Sequence, residues 1–351
     1  MAVPGNGGGP VGSASRDLDG HRASGPSVRP GTIGSLRLAI PSVFIVGAPR
    51  CGTTSLAAYL DAHPRMFICK PKEPHHFCSD LDLRLRPYGR RRNYLELFDR
   101  AGGEQLAGEA SVLYLYSKVA PAAIREFSPS ARIIILLRDP VEMVGSMYAH
   151  NRLLGNEDLP DLGQALAAEA DRRLGRRLSW SCFGPAGLQY SALGKYAENV
   201  RRYQEVFGPD RVKCILFEDL KNDPEKTYRE TLDFLGLEPD GLPEFKVLND
   251  RKAWRIPLVG RLIVAAFSLV YALCAHLPTK FLRRLLHFII GIAFVLSSRL
   301  NVRRARPSPP STEVQDALRQ LFREDVERLA GLIGRDLSSW LQPEPAGLGR
   351  A

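Results

Sequence analysis

The 351-residue sequence has few cysteines, no uninterrupted apolar stretch of the roughly twenty residues that a membrane-spanning helix needs, and no repeat at a solenoid period. Its six cysteines never form C-x-x-C pairs and no secretory leader precedes them, so we expect reduced thiols in a cytoplasmic setting, with no disulfide framework and no metal site. What it does contain is a hydrophobic content of 44%, enough for a substantial core, and a formal net charge of +10, which favours an anionic ligand or surface.

Most of the chain alternates short apolar runs with helical patterns. Residues 1–35, rich in Gly, Pro, Ser and Arg, carry no apolar period, and we expect a disordered leader there. After it, SVFIVG precedes a helical TTSLAAYLDAH, ARIIILL precedes a helix from Pro140, and RVKCILF precedes a helical PEKTYRETLDFLGL. This alternation predicts an α/β fold with a parallel sheet covered by helices on both faces. Helices are also predicted over residues 91–100, 117–127 and 192–207.

The stretch GAPRCGTTSL joins the first predicted strand to the first predicted helix and is P-loop-like. Four residues separate Gly47 from Gly52, and the free backbone N–H groups and the dipole of the following helix favour an anion there. A nucleotide triphosphate loop would continue G-K-[ST], but Thr53 follows Gly52 and the nearest cation is Arg50. We expect an anion site without the kinase lysine; the alternative is a glycine-containing turn with no ligand.

GAPRCGTTSL resembles the 5′-phosphosulfate loop of the sulfotransferase superfamily, whose members use 3′-phosphoadenosine-5′-phosphosulfate (PAPS). Within the superfamily the chain is most similar to the branch of the heparan sulfate N- and 3-O-sulfotransferases and their bacterial relatives. The resemblance implies that Arg50 takes the place of the loop's cation near the bridging oxygen. It also implies that the 5′ phosphate is bound by Cys51, Gly52, Thr53, Thr54 and Ser55.

A second stretch, IIILLRDPVEMVGSMY, runs from a predicted buried strand into a helix that Pro140 can begin. It resembles the family's 3′-phosphate motif, and the resemblance places Arg138 and Ser146 at the ligand positions. The alternative is that Arg138 pairs with Asp139 or caps a loop. Two phosphate sites on one sheet would specify a nucleotide with phosphates at both ends of its ribose, as in PAPS and unlike ATP.

The segment KPKEPHHF lies between these two motifs and resembles the family segment that carries the general base. Glu73 falls on the position of that base, and a positioned carboxylate can take the proton that an acceptor hydroxyl or amine loses. His75 also matches a family position and is the rival base. The alternative is an exposed charge cluster, and the direction of any pKa shift of Glu73 stays open, since burial and nearby cations act in opposite senses.

Two residues depart from the family's pattern. Cys78 follows Phe77 where the branch has an aromatic pair, and Ala110 in GEASVLY stands where several relatives have a substrate-facing lysine. Towards the C-terminus, Tyr196 and Glu218 fall at familiar positions but serve as fold indications only. The resemblance also places candidates for the 3′ phosphate and adenosine in a basic loop, with a solvated basic face as the alternative: Arg251, Lys252 and Arg255.

Residues 257–306 form a hydrophobic, basic segment that we expect to be a helical insertion. Eleven Lys or Arg residues lie between 251 and 306 without a single Asp or Glu. Its two apolar runs are each shorter than the roughly twenty residues of a spanning helix, so we expect a pair of helices on an anionic membrane surface and a peripheral location. Internal packing on the sheet and a membrane hairpin are the alternatives.

Together these patterns predict a catalytic domain over residues 36–256, the basic insertion over 257–306, and a C-terminal helix and tail over 307–351. The predicted activity is transfer of a sulfuryl group from PAPS, without a required metal, to a hydroxyl or amine of a small-molecule, carbohydrate, lipid or glycolipid acceptor. Nucleic acid is not an expected partner, and the pattern leaves the acceptor and the oligomeric state open. The alternatives are a P-loop kinase or NTPase, and a membrane-attached nucleotide-binding protein without turnover.

Overall fold

The computed structural model describes residues 39–83, 88–179, 182–246, 252–254, 259, 262, 302–304 and 309–343. The predicted leader over residues 1–35 lies outside the described residues, and so does almost all of the predicted basic insertion. Most of the 36–256 region and the C-terminal helix are described.

A parallel sheet of five strands forms the centre of the fold, in the order β2-β3-β1-β4-β5. Every residue of β1 is buried, and so is all of β4 after its first residue, because a parallel sheet covered on both faces requires apolar strands. The strands span Val43–Gly47 (β1), Met66–Ile68 (β2), Leu106–Ala110 (β3), Arg132–Leu137 (β4) and Val212–Leu216 (β5).

Helices flank this sheet and confirm the predicted α/β class. They span Thr53–Asp61 (α1), Arg91–Leu95 (α2), Ala120–Phe127 (α3), Pro140–Leu154 (α4), Leu162–Ala167 (α5), Glu169–Arg173 (α6), Tyr190–Leu193 (α7), Ala197–Phe207 (α8), Phe217–Asn222 (α9), Pro224–Leu235 (α10) and Thr312–Ile333 (α11).

Several predicted boundaries differ from the structure. The helix expected over 91–100 ends at Leu95 and continues as a 3-10 turn, and the helix expected over 117–127 begins only at Ala120. The helix expected over 192–207 is divided into α7 and α8. The break occurs at Gly194, where a Cβ atom would lie 2.2 Å from the ring of Phe322 in α11, so the close packing of α11 leaves room for glycine alone.

Helix α11 is held to α8 by a buried carboxylate. Asp325 accepts hydrogen bonds from the backbone N–H groups of Tyr196, at 2.6 Å, and Ala197, at 3.1 Å. These are donors that the start of α8 leaves without helical partners. The C-terminal helix therefore completes the core from the far end of the chain.

A second, two-stranded sheet lies beside α4. Its strands, β6 (Lys252–Trp254) and β7 (Val302–Arg304), are antiparallel, with Lys252 opposite Arg304. This pairing brings together the two ends of the segment that carries the predicted insertion. None of the helices in the described part of the chain is long and apolar enough to cross a bilayer.

Candidate active site

The three predicted motifs meet at the carboxyl edge of the parallel sheet. β1 pairs with both β3 and β4, so the segments that follow these three strands are neighbours in space. The loop after β1 carries Arg50, β3 ends beside the Glu73 segment, and Arg138 directly follows β4. Ligands of open parallel sheets bind at this edge, since the strand-to-helix loops converge there.

The loop after β1 has the geometry of an anion site. Gly52 caps α1 with φ of 86°, in the left-handed region that favours glycine, and a Cβ there would come within 2.8 Å of Leu220. Thr53 begins the helix, so its first N–H groups face the loop. Cys51 is fully buried, and burial raises the pKa of its thiol to about 12, so the thiol is neutral.

Lys72 brings an ammonium group to this loop from a different segment. Its Nζ donates to the hydroxyls of Thr53, at 3.2 Å, and Thr54, at 3.0 Å. Burial lowers the pKa of Lys72, while the charge of Glu73 opposes that shift. The cation that a kinase loop carries after its second glycine is thus supplied here by a side chain from beyond β2. Sequence reasoning missed this role because no local pattern connects the two segments.

Arg50 links the loop to the second motif. Its Nε donates to Ser146 Oγ at 3.2 Å, and its carbonyl oxygen accepts a bond of 3.4 Å from Arg138 Nη1. Arg50 has a φ of 62°, which costs a non-glycine residue roughly 1–2 kcal/mol. The two predicted phosphate motifs are therefore coupled directly through one residue.

Arg138 is almost completely buried, and its guanidinium group is held by a carboxylate and an aromatic ring. Its Nε donates to Glu142 at 3.0 Å, its Nη2 contacts the same oxygen, and its Cζ lies 4.5 Å from the ring centroid of Phe217. The alternative partner Asp139 instead caps α4, accepting from Val141 N at 2.8 Å. Burial raises the pKa of Asp139 to about 6.

Glu73 and His75 form a pair at the open side of the site. The distance from His75 Nε2 to Glu73 Oε2 is 3.2 Å, and the Glu73 side chain keeps 37% of its exposure, enough to meet an acceptor. Burial by itself would raise the pKa of Glu73, but the hydrogen bond and charge of His75, with the charges of Lys72 and His150, bring it below its ordinary value. The direction left open by the sequence is therefore downward, and the carboxylate is ionised at neutral pH.

The backbone of this segment is unusual. Glu73 and His75 have φ values of 62° and 50°, in the left-handed region that non-glycine residues rarely occupy. The N–H of Glu73 donates to the carbonyl of Ala110, at 3.0 Å, so the segment is attached to the end of β3. Ala110 itself is fully buried.

His150 is a site residue that sequence reasoning missed. It lies on α4 four residues after Ser146, and therefore on the same helix face. Burial lowers its pKa to about 4; the charge of Arg50 adds to this shift and that of Glu73 opposes it. Its helical spacing from Ser146 is the one local signal that could have revealed it.

The remaining predicted residues lie in the core, at a short strand, or outside the described residues. Arg251 and Arg255 lie outside the described residues, and Lys252 is described only as part of β6, beside α4. Tyr196 is fully buried against Trp340 and belongs to the core. Within the described ranges, no group of three or more His, Cys, Asp or Glu side chains is arranged to hold a metal ion. The structure brings together Arg50, Cys51, Gly52, Thr53, Thr54, Glu73, His75, Arg138 and Ser146.

The candidate site thus combines a glycine-containing loop after the first strand of a parallel sheet, a buried arginine after the neighbouring strand, and an acid–histidine pair. The chain belongs to the sulfotransferase domain family, whose model matches residues 41–250. This confirms the family that the three motifs predict.

Known proteins agree with this assignment. The chain is 29% identical over 222 residues to human heparan sulfate glucosamine 3-O-sulfotransferase 6, covering 62% of this chain and 58% of that protein. It is 27% identical over 251 residues to mouse carbohydrate sulfotransferase 15, covering 57% and 44% respectively. A crystal structure of a sulfotransferase from Alicyclobacillus acidocaldarius superposes with a TM-score of 0.62 at 28% identity, covering 87% of this chain and all of that one. The chain spans about half the length of the curated relatives it matches.

Proposed function

We propose that this protein is an enzyme that transfers the sulfuryl group of PAPS to a hydroxyl or amine of a carbohydrate, lipid or glycolipid acceptor. The observation that supports this most is the pair of cationic anchors joined through Arg50: the loop with Lys72 on one side, and Arg138 with Ser146 on the other. A donor with phosphates at both ends of its ribose fits two such anchors, whereas ATP fits one.

The chemistry follows from the placement of these groups. The backbone N–H groups of the loop and the Thr53 and Thr54 hydroxyls bind the 5′ phosphate, and Arg138 with Ser146 binds the 3′ phosphate. In the transfer step an acceptor oxygen or nitrogen forms a bond to sulfur while the bond from sulfur to the phosphate oxygen breaks. Arg50 and Lys72 offset the negative charge that develops on the leaving phosphate.

Glu73 accepts the acceptor's proton in this scheme. Its lowered pKa keeps it ionised at neutral pH, and its partly exposed carboxylate faces the open side of the site. His75 holds the carboxylate through the 3.2 Å contact. A positioned acceptor beside an aligned donor requires little further covalent assistance, since holding the reactants in line removes much of the entropic barrier.

A binding titration distinguishes this function from a kinase. Adenosine 3′,5′-bisphosphate should bind without magnesium and at least about tenfold more tightly than ATP, because only the former has a 3′ phosphate for Arg138. Equal affinity for the two nucleotides, or a strict magnesium requirement for binding, contradicts the proposal. A turnover assay with PAPS and carbohydrate acceptors, chosen because the named relatives are carbohydrate sulfotransferases, then separates an enzyme from a binding protein without turnover.

We further propose that residues 257–306 attach the protein peripherally to an anionic membrane surface on the cytoplasmic side. The support is the charge of the segment, its two short apolar runs, and the β6–β7 pairing that holds its ends together. The full chain should float with anionic liposomes, and a variant with residues 257–300 replaced by a polar linker should not, while still binding adenosine 3′,5′-bisphosphate. A full chain that stays unbound at low salt contradicts this attachment.

A further inference from the structure

A buried carboxylate lies directly beneath the segment that carries Glu73. Glu109, on β3, is fully buried, and its two oxygens accept hydrogen bonds from three hydroxyl groups. Tyr94 donates at 2.6 Å and Tyr114 at 3.1 Å to one oxygen, and Ser111 donates at 2.8 Å to the other. No basic side chain is among its hydrogen-bond partners in the described part of the chain. A buried charge without a cation is costly unless several donors satisfy it, and this cluster provides them.

The same hydroxyls hold the backbone after Glu73. Ser111 Oγ accepts the N–H of His75 at 3.2 Å, while Tyr114 Oη accepts the N–H groups of His76 at 2.7 Å and Phe77 at 3.2 Å. Each of these two hydroxyls therefore donates its proton to Glu109 and accepts hydrogen bonds from the backbone N–H groups of residues 75–77. Each hydroxyl has a single proton, and since its oxygen accepts from the backbone, that proton is directed to Glu109. Burial raises the pKa of Glu109 to about 7, and the hydrogen bonds from the three hydroxyls oppose that shift.

Tyr94, which carries the third hydroxyl, contacts the segment through its aromatic ring. The Tyr94 ring stacks on His76 with centroids 4.3 Å apart and an interplanar angle of 7°, and it meets Phe77 edge-on at 5.3 Å. Its hydroxyl donates to Glu109 as above. Three independent contacts thus connect one carboxylate to residues 75–77, a stretch that includes the left-handed His75 and follows the left-handed Glu73.

We propose that Glu109 is a positioning residue for the candidate base: through Ser111, Tyr114 and Tyr94 it holds residues 73–77 in the conformation that presents Glu73 to the acceptor. This role rests on the proposed function. Glu109 touches neither donor nor acceptor, so its replacement should change turnover and leave donor binding intact.

The test is a double-mutant cycle in the full chain. Glu109→Gln replaces one of the two acceptor oxygens with an NH2 donor, which cannot accept the hydroxyl bound there, and we expect kcat to fall about a hundredfold, the scale of a displacement of about 1 Å in a catalytic group. The affinity for adenosine 3′,5′-bisphosphate should stay within about twofold of the unmodified chain. In a Glu73→Gln background, Glu109→Gln should cause little further loss, because its effect passes through Glu73.

Hydrogen exchange supplies a readout that does not need turnover. In Glu109→Gln the amides of residues 75–77 should exchange at least about tenfold faster, since their acceptors are reoriented, and in Tyr114→Phe those of His76 and Phe77 should do so, since their acceptor is lost. Tyr190→Phe is the matched control, because its hydroxyl also donates to a buried glutamate, Glu157, at 3.0 Å, from a position on α7. This control should leave both kcat and the exchange of residues 75–77 unchanged.

The outcomes are distinct. Fully additive losses in the cycle, or unchanged exchange of residues 75–77 in both variants, overturn the positioning role. An unmodified chain that binds the donor but never turns it over refutes the proposed function and the catalytic part of this role together, and the exchange result then shows separately whether Glu109 anchors the segment. If Glu109→Gln does not fold, Tyr114→Phe takes its place in the cycle.

Discussion

Acid should destabilise this protein through His150, and the effect can be calculated from its pKa. The histidine binds a proton below about pH 6.5 in the unfolded chain but only below about pH 4 in the folded chain, because burial and Arg50 disfavour its charge. Between these values the unfolded state holds more protons, so the free energy of unfolding falls as the pH is lowered. The full difference corresponds to about 3 kcal/mol below pH 4, and about 2 kcal/mol of it is present at about pH 5.

Many carboxylates titrate over the same range, so the measurement is a comparison with His150→Gln. Urea unfolding of both proteins at about pH 7 and about pH 5 gives two differences in the free energy of unfolding, and these should differ by about 2 kcal/mol in favour of the variant at the lower pH. Glutamine keeps a polar side chain of similar size and does not titrate. Parallel pH dependences for the two proteins would show that His150 is not held neutral by its surroundings, and the reasoning about its burial would be wrong.

Four further predictions concern the proposed donor and base. Glu73→Gln should keep the affinity for adenosine 3′,5′-bisphosphate and lower kcat by about a hundredfold or more, the usual scale for loss of a general base; if His75→Ala shows that pattern and Glu73→Gln is nearly silent, the histidine is the base. Arg138→Ala should weaken binding of adenosine 3′,5′-bisphosphate by at least about tenfold but leave binding of adenosine 5′-phosphate almost unchanged, and equal losses for both nucleotides would contradict a 3′-phosphate role. Glu142→Gln should strengthen binding of the bisphosphate severalfold in a calorimetric titration, because the carboxylate that now occupies the Arg138 guanidinium would no longer compete; weaker binding would mean that Glu142 helps to orient Arg138. Lys72→Met should weaken binding of adenosine 3′,5′-bisphosphate and of adenosine 5′-phosphate, since the Lys72 ammonium lies at the loop that binds the 5′ phosphate they share. Weaker binding of only one of these nucleotides would contradict a role of Lys72 at the 5′ phosphate.

Local patterns were sufficient for the fold class and for the order of the main elements. The apolar runs of β1, β4 and β5 and the helices that follow them are contiguous in sequence, so periodicity alone predicts them. Strands β2 and β3 were not predicted. β2 has three residues, and β3 has the sequence LAGEA, whose small residues and buried glutamate carry no strand pattern. β3 forms by pairing with the buried β1, and β2 extends the sheet at its edge by pairing with β3, so both depend on tertiary context.

The residues of the candidate site likewise fall into those that local motifs predicted and those that only the tertiary structure revealed. The sequence alone determined the residues of the loop, the arginine after β4 and the acid in KPKEPHHF, because each belongs to a short motif whose chemistry depends on adjacent residues. Only the tertiary structure decided that Lys72 reaches the loop, that His150 lies near Arg50 and Glu73, that Glu109 supports residues 75–77, and that the pKa of Glu73 is lowered. Each of these depends on burial and on distances between segments far apart in the chain, and a hydrogen bond or a pKa responds to those distances and not to position in the sequence.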